Sequence, residues 1–204
     1  MTPTSLAELR ALRHRYVGLR HGESEANVAG LVVSDPAVGV GGYGLTARGR
    51  DQVRVAVAAA ALPAPLRILS SDFARAWETA EVAQAVLGGP EVEPAVALRE
   101  RTFGRWEGGG NDAYGVVWAA DARDAGHREG GVESVCAVAA RLTGLVLALE
   151  AAPGPASTIL LVSHGDPLQI LQTALLGAPL GTHRARPPWE NGELRPLVLG
   201  AQRP

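Results

Sequence analysis

Lysine is absent from this 204-residue sequence, and all 19 of its basic residues are arginine. They are matched by 21 acidic residues, which gives a formal net charge of -2 at pH 7. This balance predicts neither a basic surface for nucleic acid nor a polybasic face for anionic lipid, so we expect no nucleic-acid partner and no membrane partner. Because every basic residue is an arginine, an arginine at a candidate site is informative only through its position.

Cysteine is nearly absent as well, since Cys136 is the only one in the sequence. A single cysteine excludes a disulfide bond and a cysteine-based metal site within one chain. The apolar pattern around it, VESVCAVAARLTGLVLALE, predicts that its side chain is a small buried core group rather than a nucleophile.

Uninterrupted apolar runs of membrane-spanning length are also missing. The longest runs, such as VRVAVAAAALPAPL, are broken by Arg or Pro well short of the ~20 residues that a membrane span requires. The N-terminal MTPTSLAELRALRHR carries charges throughout and lacks the apolar core of a signal peptide. We therefore expect a cytoplasmic protein, and its apolar content of 47% is ample for a sizeable buried core.

Three short apolar segments, bounded by polar or turn residues, predict buried strands over 16–19, 66–70 and 158–163. Helical patterns separate them. The predicted helices run from Thr46 as N-cap to about Ala61, from a cap at Ser71 or Asp72 to Gly88, over 132–151, and from Pro167 to Gly177. Strands that alternate with such helices predict an α/β fold, namely a three-layer α/β/α sandwich with a mostly parallel central sheet. Because no repeat or linker divides the chain, we expect a single domain over 1–204.

Long glycine-rich loops interrupt this pattern, and loops of this size are usually functional. They cover 30–44, 101–131 and 177–193. The second loop is predicted to be an excursion above the sheet that contains a short helix at about 111–123. Its Trp106 and Trp118 are expected to pack the excursion onto the rest of the domain, because aromatic side chains are the usual anchors for irregular chain.

Polar and ionisable residues follow each of the three predicted strands. The strands lead into Arg20-His21-Gly22, into Ser70-Ser71 with Arg75 one helical turn later, and into His164-Gly165. Ligands of an open α/β sheet bind beyond the carboxyl ends of its strands, so these residues are expected to meet at one edge. Two imidazoles and at least two guanidiniums near helix N-termini predict a site for a dianion such as phosphate.

The two histidines indicate chemistry at the phosphate in addition to binding. A neutral imidazole nitrogen is a competent nucleophile toward phosphorus, and nearby positive charge favours the neutral ring while stabilising the phosphoryl oxygens of the transition state. This predicts phosphoryl transfer in two steps. A metal site is the alternative, but neither histidine lies in a local ligand motif such as H-E-x-x-H, and Arg20 would repel a divalent cation.

Five sequence blocks occur in order along most of the chain: LRHGESEAN, LTARGRDQ, LSSDFARAWETA, LRERTFGRWEG and LLVSHGD. Together they resemble the histidine phosphatase superfamily, which has the phosphoglycerate mutase-like fold. The resemblance implies that His21 is the catalytic nucleophile that becomes phosphorylated. It also implies the residues that bind the phosphoryl group, which are Arg20, Asn27, Arg75 and the catalytic His164. It implies neither a cofactor nor a metal ion.

The acid that protonates the leaving oxygen falls, by the same resemblance, at Glu100. The physical requirement agrees, because an alcohol leaves poorly as an alkoxide and a partly desolvated carboxyl can hold a proton long enough to donate it. The resulting carboxylate can activate the water that hydrolyses the phosphohistidine. Glu107 is the second choice for this acid, and the role expected for it is to order its loop or to bind an arginine.

Two acidic residues beside the histidines are expected to have structural roles. Glu23 is predicted to contribute helix N-terminal electrostatics or to pair with Arg20. Asp166 is predicted to cap the last helix. A carboxylate at position 166 would also disfavour an additional anionic group on that side of the substrate.

Several basic residues near the candidate site are assigned supporting roles. Arg99 and Arg101 flank Glu100 and are expected to point away from it, as surface or supporting groups. His183 and Arg186 lie in the third long loop, where contact with substrate is the less favoured interpretation.

The leading hypothesis is a metal-independent phosphatase that hydrolyses a small phosphorylated metabolite through a phosphohistidine. Phosphoglycerate mutase activity is the second hypothesis, and it is disfavoured because the segment after Glu100 is short and acidic where mutases carry a longer, basic insertion. A third hypothesis is a phosphate-binding regulatory protein without turnover, against which the presence of both His21 and Glu100 argues. The sequence does not name the substrate, and exposed apolar loop segments are compatible with a homodimer.

Overall fold

The structure is a computed structural model that describes residues 12–198. Its centre is a five-stranded sheet with the strand order β3-β2-β4-β1-β5. The strands are β1 (Arg15–Arg20), β2 (Leu66–Ser70), β3 (Val92–Pro94), β4 (Thr158–Ser163) and β5 (Leu194–Pro196). The first four run parallel to one another, and β5 pairs antiparallel with β1. The predicted mostly parallel sheet is therefore confirmed.

The three strands predicted from apolar segments form the middle of this sheet. All six residues of β4 are buried. In the register of the sheet, Arg20 pairs with Ser163 and Ser70 pairs with Val162. The carboxyl ends of β1, β2 and β4 consequently lie side by side. The strands β3 and β5 are three residues long, too short to show the periodicity from which a strand is predicted.

Helices cover both faces of the sheet. They are α1 (Glu25–Ala29), α2 (Pro36–Gly39), α3 (Ala47–Ala59), α4 (Ala74–Leu87), α5 (Ala113–Arg123), α6 (Val135–Ala151) and α7 (Gly165–Leu175). On one face, Leu160 and Val162 of β4 pack with residues of α3 and α4. On the other, Ile159 and Leu161 pack with residues of α6 and α7. Successive side chains of a strand point to opposite faces, so this alternation produces the predicted three layers.

The starts of two helices differ from the prediction. The N-cap of α4 is Phe73, which makes no side-chain capping bond. Asp72 does not cap this helix because its carboxylate binds Arg99 at 2.7 and 2.6 Å. Ser71 is too early in the chain to cap it and instead accepts a hydrogen bond from the Phe73 N–H at 3.3 Å. Likewise, α7 begins after His164, so Asp166 lies inside its first turn and is not its cap.

The prediction that Cys136 is buried is wrong, because its side chain is exposed. The buried residues of α6 include Val135, Val138, Ala139 and Leu142. A residue one position after Val135 is rotated by about 100° around the helix axis, away from this apolar stripe. The apolar composition of the segment correctly predicts a helix. It does not predict which side of that helix faces the core.

The excursion has a small apolar cluster of its own, to which the loop 30–44 contributes Val32. The cluster contains the buried residues Val32, Phe103, Ala113, Val117 and Val132, and the partly buried Trp106 and Tyr114 pack against it. The predicted short helix is present as α5, two residues shorter at its start. Among residues 12–198, no helix has the length and apolarity needed to cross a membrane.

Candidate active site

The carboxyl ends of β1, β2 and β4 bring the predicted site residues together. His21 follows β1 and is 3% exposed, and His164 follows β4 and is fully buried. Their ring centroids are 5.2 Å apart. Arg75, which enters from the first turn of α4, is also buried. The predicted convergence of these three side chains at one edge of the sheet is present in the structure.

The turn after His21 depends on glycine. A Cβ atom on Gly22 would collide with the carbonyl oxygen of Gly49 in α3, and a Cβ on Gly49 would collide with the carbonyl oxygen of Glu23. The backbone of the turn after His21 is therefore in contact with the backbone of α3. This contact explains why glycine stands at position 49, within the LTARGRDQ block. Of the two roles predicted for Glu23, the ion pair with Arg20 is not formed, because this turn places its carboxylate against Thr46 Oγ1 (2.8 Å) and Arg48 (3.3 Å).

Hydrogen bonds fix the protonation state of the His21 ring. Its Nδ1 lies 2.8 Å from the Gly22 carbonyl oxygen. A carbonyl can only accept, so Nδ1 carries the hydrogen, and the lone pair of Nε2 accepts a hydrogen bond from Arg75 Nε at 3.2 Å. Burial lowers the pKa of His21 well below its usual value, and the charges of Arg75 and Arg20 lower it further. His21 is thus a neutral imidazole whose Nε2 can act as a nucleophile.

Arg20, Arg75 and His164 are held by hydrogen bonds to other parts of the protein, and in Arg75 two nitrogens make such bonds. Arg20 Nη1 donates to the Trp189 carbonyl, and Arg75 Nη2 donates to the Val33 carbonyl at 3.0 Å. In the described part of the chain, Arg20 Nε, Arg75 Nη1 and His164 Nδ1 are buried without a hydrogen-bond partner. Such atoms are rare in folded proteins and call for a ligand. Two guanidiniums and an imidazole suit phosphate oxygens.

Ser71 orients the ring of His164, a role that the sequence did not indicate. Its Oγ lies 3.0 Å from His164 Nε2 and accepts a hydrogen bond from the Phe73 N–H. We assign the hydroxyl hydrogen of Ser71 to Nε2, which gives this hydroxyl one donor and one acceptor partner and places the ring hydrogen on Nδ1. Burial and the charge of Arg75 lower the pKa of His164 well below its usual value. His164 is therefore a neutral donor through Nδ1.

Glu100 lies close to Arg75 and to His164. Its Oε2 is 3.7 Å from Arg75 Nη2 and 3.8 Å from His164 Nδ1, and its side chain is 10% exposed. Burial raises the pKa of Glu100 to about 7, with the charge of Arg75 acting in the opposite direction. A carboxyl with this pKa exists in both protonation states near neutral pH, which is what an acid that later becomes a base requires.

Glu107, the alternative acid, is engaged elsewhere. Its Oε2 accepts hydrogen bonds from the N–H (2.7 Å) and the hydroxyl (2.5 Å) of Ser34, and the same hydroxyl accepts from the Phe103 N–H at 2.9 Å. Glu107 therefore orders the loop 30–44 against the excursion, as expected for its first role. The geometry favours Glu100 over Glu107 as the acid.

Asn27 stands at the first turn of α1, beside the turn that follows His21. Its side-chain oxygen accepts from the N–H (3.0 Å) and the hydroxyl (3.1 Å) of Ser24, and its own N–H donates to that hydroxyl at 3.3 Å. This reciprocal arrangement is a capping box. It holds Asn27 in place at the N-terminus of the helix.

Comparison with known proteins decides what kind of site this is. The family model of the histidine phosphatase superfamily (branch 1) matches residues 17–204. The chain belongs to the histidine phosphatase superfamily. This confirms the family and the phosphoglycerate mutase-like fold that the five sequence blocks predict.

Relatives of this histidine phosphatase are named phosphatases. A glucosyl-3-phosphoglycerate phosphatase of Mycolicibacterium vanbaalenii is 36% identical over 179 residues, which cover 81% of this chain and 76% of that protein. The native structure of a mycobacterial glucosyl-3-phosphoglycerate phosphatase superposes with a TM-score of 0.71 at 30% identity, covering 89% and 88% of the two chains. A complex of that mycobacterial enzyme with inorganic phosphate has a TM-score of 0.69 at 30% identity, covering 89% and 87%.

The predicted enzyme class is thereby confirmed. This histidine phosphatase is a phosphoric monoester hydrolase, and the mutase alternative is not favoured. Among the described residues, no cluster of three or more His, Cys, Asp or Glu side chains could hold a metal ion.

The basic residues flanking Glu100 support the site of this histidine phosphatase, as expected. Arg99 pairs with Asp72. Arg101 is fully buried, binds both carboxylate oxygens of Asp121 at 2.6 and 2.7 Å and donates to the Glu133 carbonyl at 2.7 Å. This pairing joins α5 to the segment that carries Glu100.

Asp166 has a different environment from the one predicted. Both of its oxygens accept from the Trp118 indole N–H at 3.1 Å. Arg101 and Arg184 lie 3.4 and 3.5 Å from it. Arg101 is shared between Asp166 and Asp121, so the two carboxylates face the two guanidiniums of Arg101 and Arg184.

Tyr114 of the excursion was missed by the sequence analysis. Its ring stacks on Trp118 with centroids 5.3 Å apart and meets Phe103 edge-on at 4.9 Å. Burial, followed by the charge of Glu100, raises the pKa of its phenol, and Arg75 is among the charges that lower it. Tyr114 thus belongs to the electrostatic surroundings of the site, but it lies in a segment without any recognisable motif.

The structure does not bring His183 or Arg186 into hydrogen-bond contact with the site. His183 is fully buried, with Nδ1 3.2 Å from the Leu180 carbonyl oxygen. Arg186 donates through Nε to Thr173 Oγ1 at 3.2 Å. Their positions agree with the structural role that was favoured for both.

Proposed function

We propose that this histidine phosphatase hydrolyses a small phosphomonoester in two steps, without a metal ion, through a phosphohistidine at His21. The observation that carries the proposal is the set of three buried donor nitrogens that have no protein partner among residues 12–198, which belong to side chains around a neutral imidazole with its lone pair on Nε2. Donors fixed in advance around a transferring phosphoryl group stabilise its transition state without reorganisation.

In the first step, His21 Nε2 attacks phosphorus while the bond between phosphorus and the alcohol oxygen breaks. Glu100 gives its proton to that oxygen, so the product leaves as a neutral alcohol. The free nitrogens of Arg20, Arg75 and His164 hold the three phosphoryl oxygens, and Asn27 assists. The positive charge of the two arginines offsets the negative charge of the phosphoryl group.

In the second step, water attacks phosphorus and the bond to His21 Nε2 breaks. Glu100, now a carboxylate, removes the proton of the attacking water and regains its initial state. His21 returns to the neutral form, with its Nδ1 hydrogen still bonded to the Gly22 carbonyl. The products are inorganic phosphate and the alcohol, and no redox partner is consumed.

For the substrate, we propose a phosphate ester of an acid-bearing or sugar-bearing alcohol. The support is the name of the relatives, glucosyl-3-phosphoglycerate phosphatase. The two guanidiniums beside Asp166 agree, because they offset the repulsion between its carboxylate and a second anionic group of the substrate.

A phosphate-release assay tests this function. The purified protein, treated with EDTA and then freed of it, is incubated with glucosyl-3-phosphoglycerate, 3-phosphoglycerate, glucose phosphates and p-nitrophenyl phosphate. We expect phosphate release from at least one sugar- or acid-bearing ester, and none by the His21→Ala variant. Transfer of phosphate to another hydroxyl without release, or loss of activity after chelation, would contradict the proposal.

The proposal also includes three expectations from the sequence: a single domain over 1–204, a cytoplasmic location and a homodimer. Limited proteolysis, cell fractionation and light scattering test these expectations in turn.

A further inference from the structure

The turn that precedes β5, residues 189–193, is bound to the end of β1 through its backbone. The Gly192 N–H donates to the His21 carbonyl at 3.0 Å, and the Glu193 carbonyl accepts from the Arg20 N–H at 3.0 Å. The Trp189 carbonyl accepts from the Arg20 side chain. This turn therefore contacts the two residues with which the candidate site begins.

Asn191 extends a side chain from this turn toward three oxygen atoms. Its Nδ2 lies 3.1 Å from Asn27 Oδ1, 3.3 Å from the His21 carbonyl oxygen and 3.5 Å from the Gly22 carbonyl oxygen. Because all three are acceptors, the group that faces them is the NH2 end of the Asn191 amide. The two backbone carbonyls anchor this amide, and the third contact reaches a residue of the candidate site.

The oxygen of the Asn27 amide is saturated by these contacts. A carbonyl oxygen has two lone pairs, and Asn27 Oδ1 accepts from the N–H and the hydroxyl of Ser24 and from Asn191 Nδ2. A flip of the Asn27 amide, which exchanges its oxygen and its NH2 group, would place the NH2 group against these donors. Asn27 is consequently held with Nδ2 on the side opposite to them.

Asn191 differs from the Ser24 donors in one respect. Ser24 belongs to the capping box of α1, whose geometry is local. Asn191 comes from 164 residues later in the chain. Through Asn191, the orientation of the Asn27 amide depends on the same turn that binds Arg20 and His21. Residues 189–193 therefore contact all three of these residues.

We propose that Asn191 is a positioning residue, which fixes the Asn27 amide so that Nδ2 donates to the phosphoryl group of the substrate. This inference rests on the proposed function, because it requires that phosphate is bound between His21 and Asn27. It assigns no contact between Asn191 and the substrate.

A double-mutant cycle on phosphate affinity tests the inference. The inhibition constant of inorganic phosphate against p-nitrophenyl phosphate hydrolysis is measured for the wild type, Asn191→Ala, Asn27→Ala and the double variant. Loss of one net hydrogen bond corresponds to about twofold to tenfold weaker phosphate binding, which we expect for Asn191→Ala. In the Asn27→Ala background, Asn191→Ala should have no further effect on the inhibition constant.

An isosteric variant and a matched control accompany the cycle. Asn191→Asp keeps the size of the side chain but replaces its donors by oxygens that repel the three acceptors, so phosphate binding should be weaker than in Asn191→Ala. Asn111→Ala removes an exposed asparagine of the excursion and should leave the inhibition constant unchanged. Thermal unfolding of each variant is recorded in parallel.

Additive effects in the cycle would overturn the inference, as would a loss of thermal stability with an unchanged phosphate inhibition constant. Either result would give Asn191 a purely structural role while leaving the proposed function intact. An unchanged constant in Asn27→Ala would overturn it as well. If the wild type neither binds phosphate nor hydrolyses the ester, the proposed function itself fails.

Discussion

Arg75, at the edge of the sheet, and Arg101, beneath the excursion, are both buried arginines with different surroundings. Arg101 binds both oxygens of Asp121 and makes a further bond to the Glu133 carbonyl. Arg75 donates to one carbonyl and to His21, lies 3.7 Å from Glu100, and keeps Nη1 buried without a partner among the described residues. Every nitrogen of the Arg101 guanidinium thus has a hydrogen-bond partner in the protein, whereas one nitrogen of Arg75 has none among the described residues.

This difference separates a supporting region from a binding region. A buried charge with complete pairing contributes to the structure, and removal of one partner leaves the other charge uncompensated. A buried donor without a partner costs free energy in the folded protein and is retained where a ligand completes it. The predictions below test this distinction, beginning with the largest expected effect.

Replacement of Arg75 should affect activity far more than folding. For Arg75→Ala we expect kcat/KM to fall by about 10³-fold or more, because a guanidinium that stabilises a transferring phosphoryl group is worth that much. The free energy of unfolding should change little. Steady-state kinetics and urea unfolding measure the two quantities, with the exposed Arg54→Ala as control. A variant that unfolds but retains specific activity would contradict the distinction.

Replacement of Glu100 should slow the reaction according to the leaving group. For Glu100→Gln we expect a loss of about 10²- to 10⁴-fold in the hydrolysis of alkyl phosphates. The loss in phosphorylation by p-nitrophenyl phosphate should be much smaller, because nitrophenolate leaves without a proton. Rapid-quench measurement of the first step compares the two substrates. Equal losses for both would exclude Glu100 as the proton donor.

The pH dependence of stability gives an independent test of Glu100. Its pKa is raised from 4.5 to about 7 in the folded protein, so the folded state binds this proton more tightly than the unfolded state. The stabilisation is present below pH 4.5 and is lost as the pH rises to about 7. Relative to Glu100→Gln, the wild type should thus lose unfolding free energy across this window. A parallel pH profile for the two proteins would contradict the raised pKa.

Replacement of Arg101 should act mainly on stability. Arg101→Met leaves the Asp121 carboxylate buried without its guanidinium, and we expect the unfolding free energy to fall by about 3–5 kcal/mol. The additional change Asp121→Leu should recover part of this loss. Arg54→Met, which removes an exposed ion pair, should cost less than about 1 kcal/mol. If Arg101→Met were as stable as the wild type, the pair would not support the excursion.

The smallest effect is expected for Cys136. Because its side chain is exposed, Cys136→Ser should change the unfolding free energy by no more than about 0.5 kcal/mol. Native protein should also react with iodoacetamide at this thiol, as mass spectrometry would show. Protection of the thiol in the monomeric native protein would contradict its exposure.

The sequence predicts the parts of the molecule that local patterns determine. Apolar segments followed by polar residues place His21 and His164 at the carboxyl ends of strands, and the parallel register brings them together. The phase of α6 around Cys136 is not determined in this way, because its apolar residues cover more than one face. Pairs such as Arg101 with Asp121 and Glu23 with Arg48 depend on how distant segments dock, which composition and spacing do not specify.

The candidate site shows the same limit. Arg20, Arg75 and Glu100 could be located by their blocks, whereas Ser71 was considered only as a helix cap and Asn191 carried no signal. Each contacts, through one hydrogen bond, a side chain from another segment. Such roles become visible when the donors and acceptors around each ring or amide can be counted.

The most direct test of the central claim is to trap the phosphorylated enzyme. The protein is mixed with a ³²P-labelled phosphomonoester, quenched in alkali and digested, and the labelled peptide is identified by mass spectrometry. We predict an acid-labile, alkali-stable phosphoryl group on His21, absent in His21→Ala and longer-lived in Glu100→Gln. A phosphoryl group on another residue, or turnover without any labelled enzyme in rapid-quench samples, would contradict a phosphohistidine at this edge of the sheet.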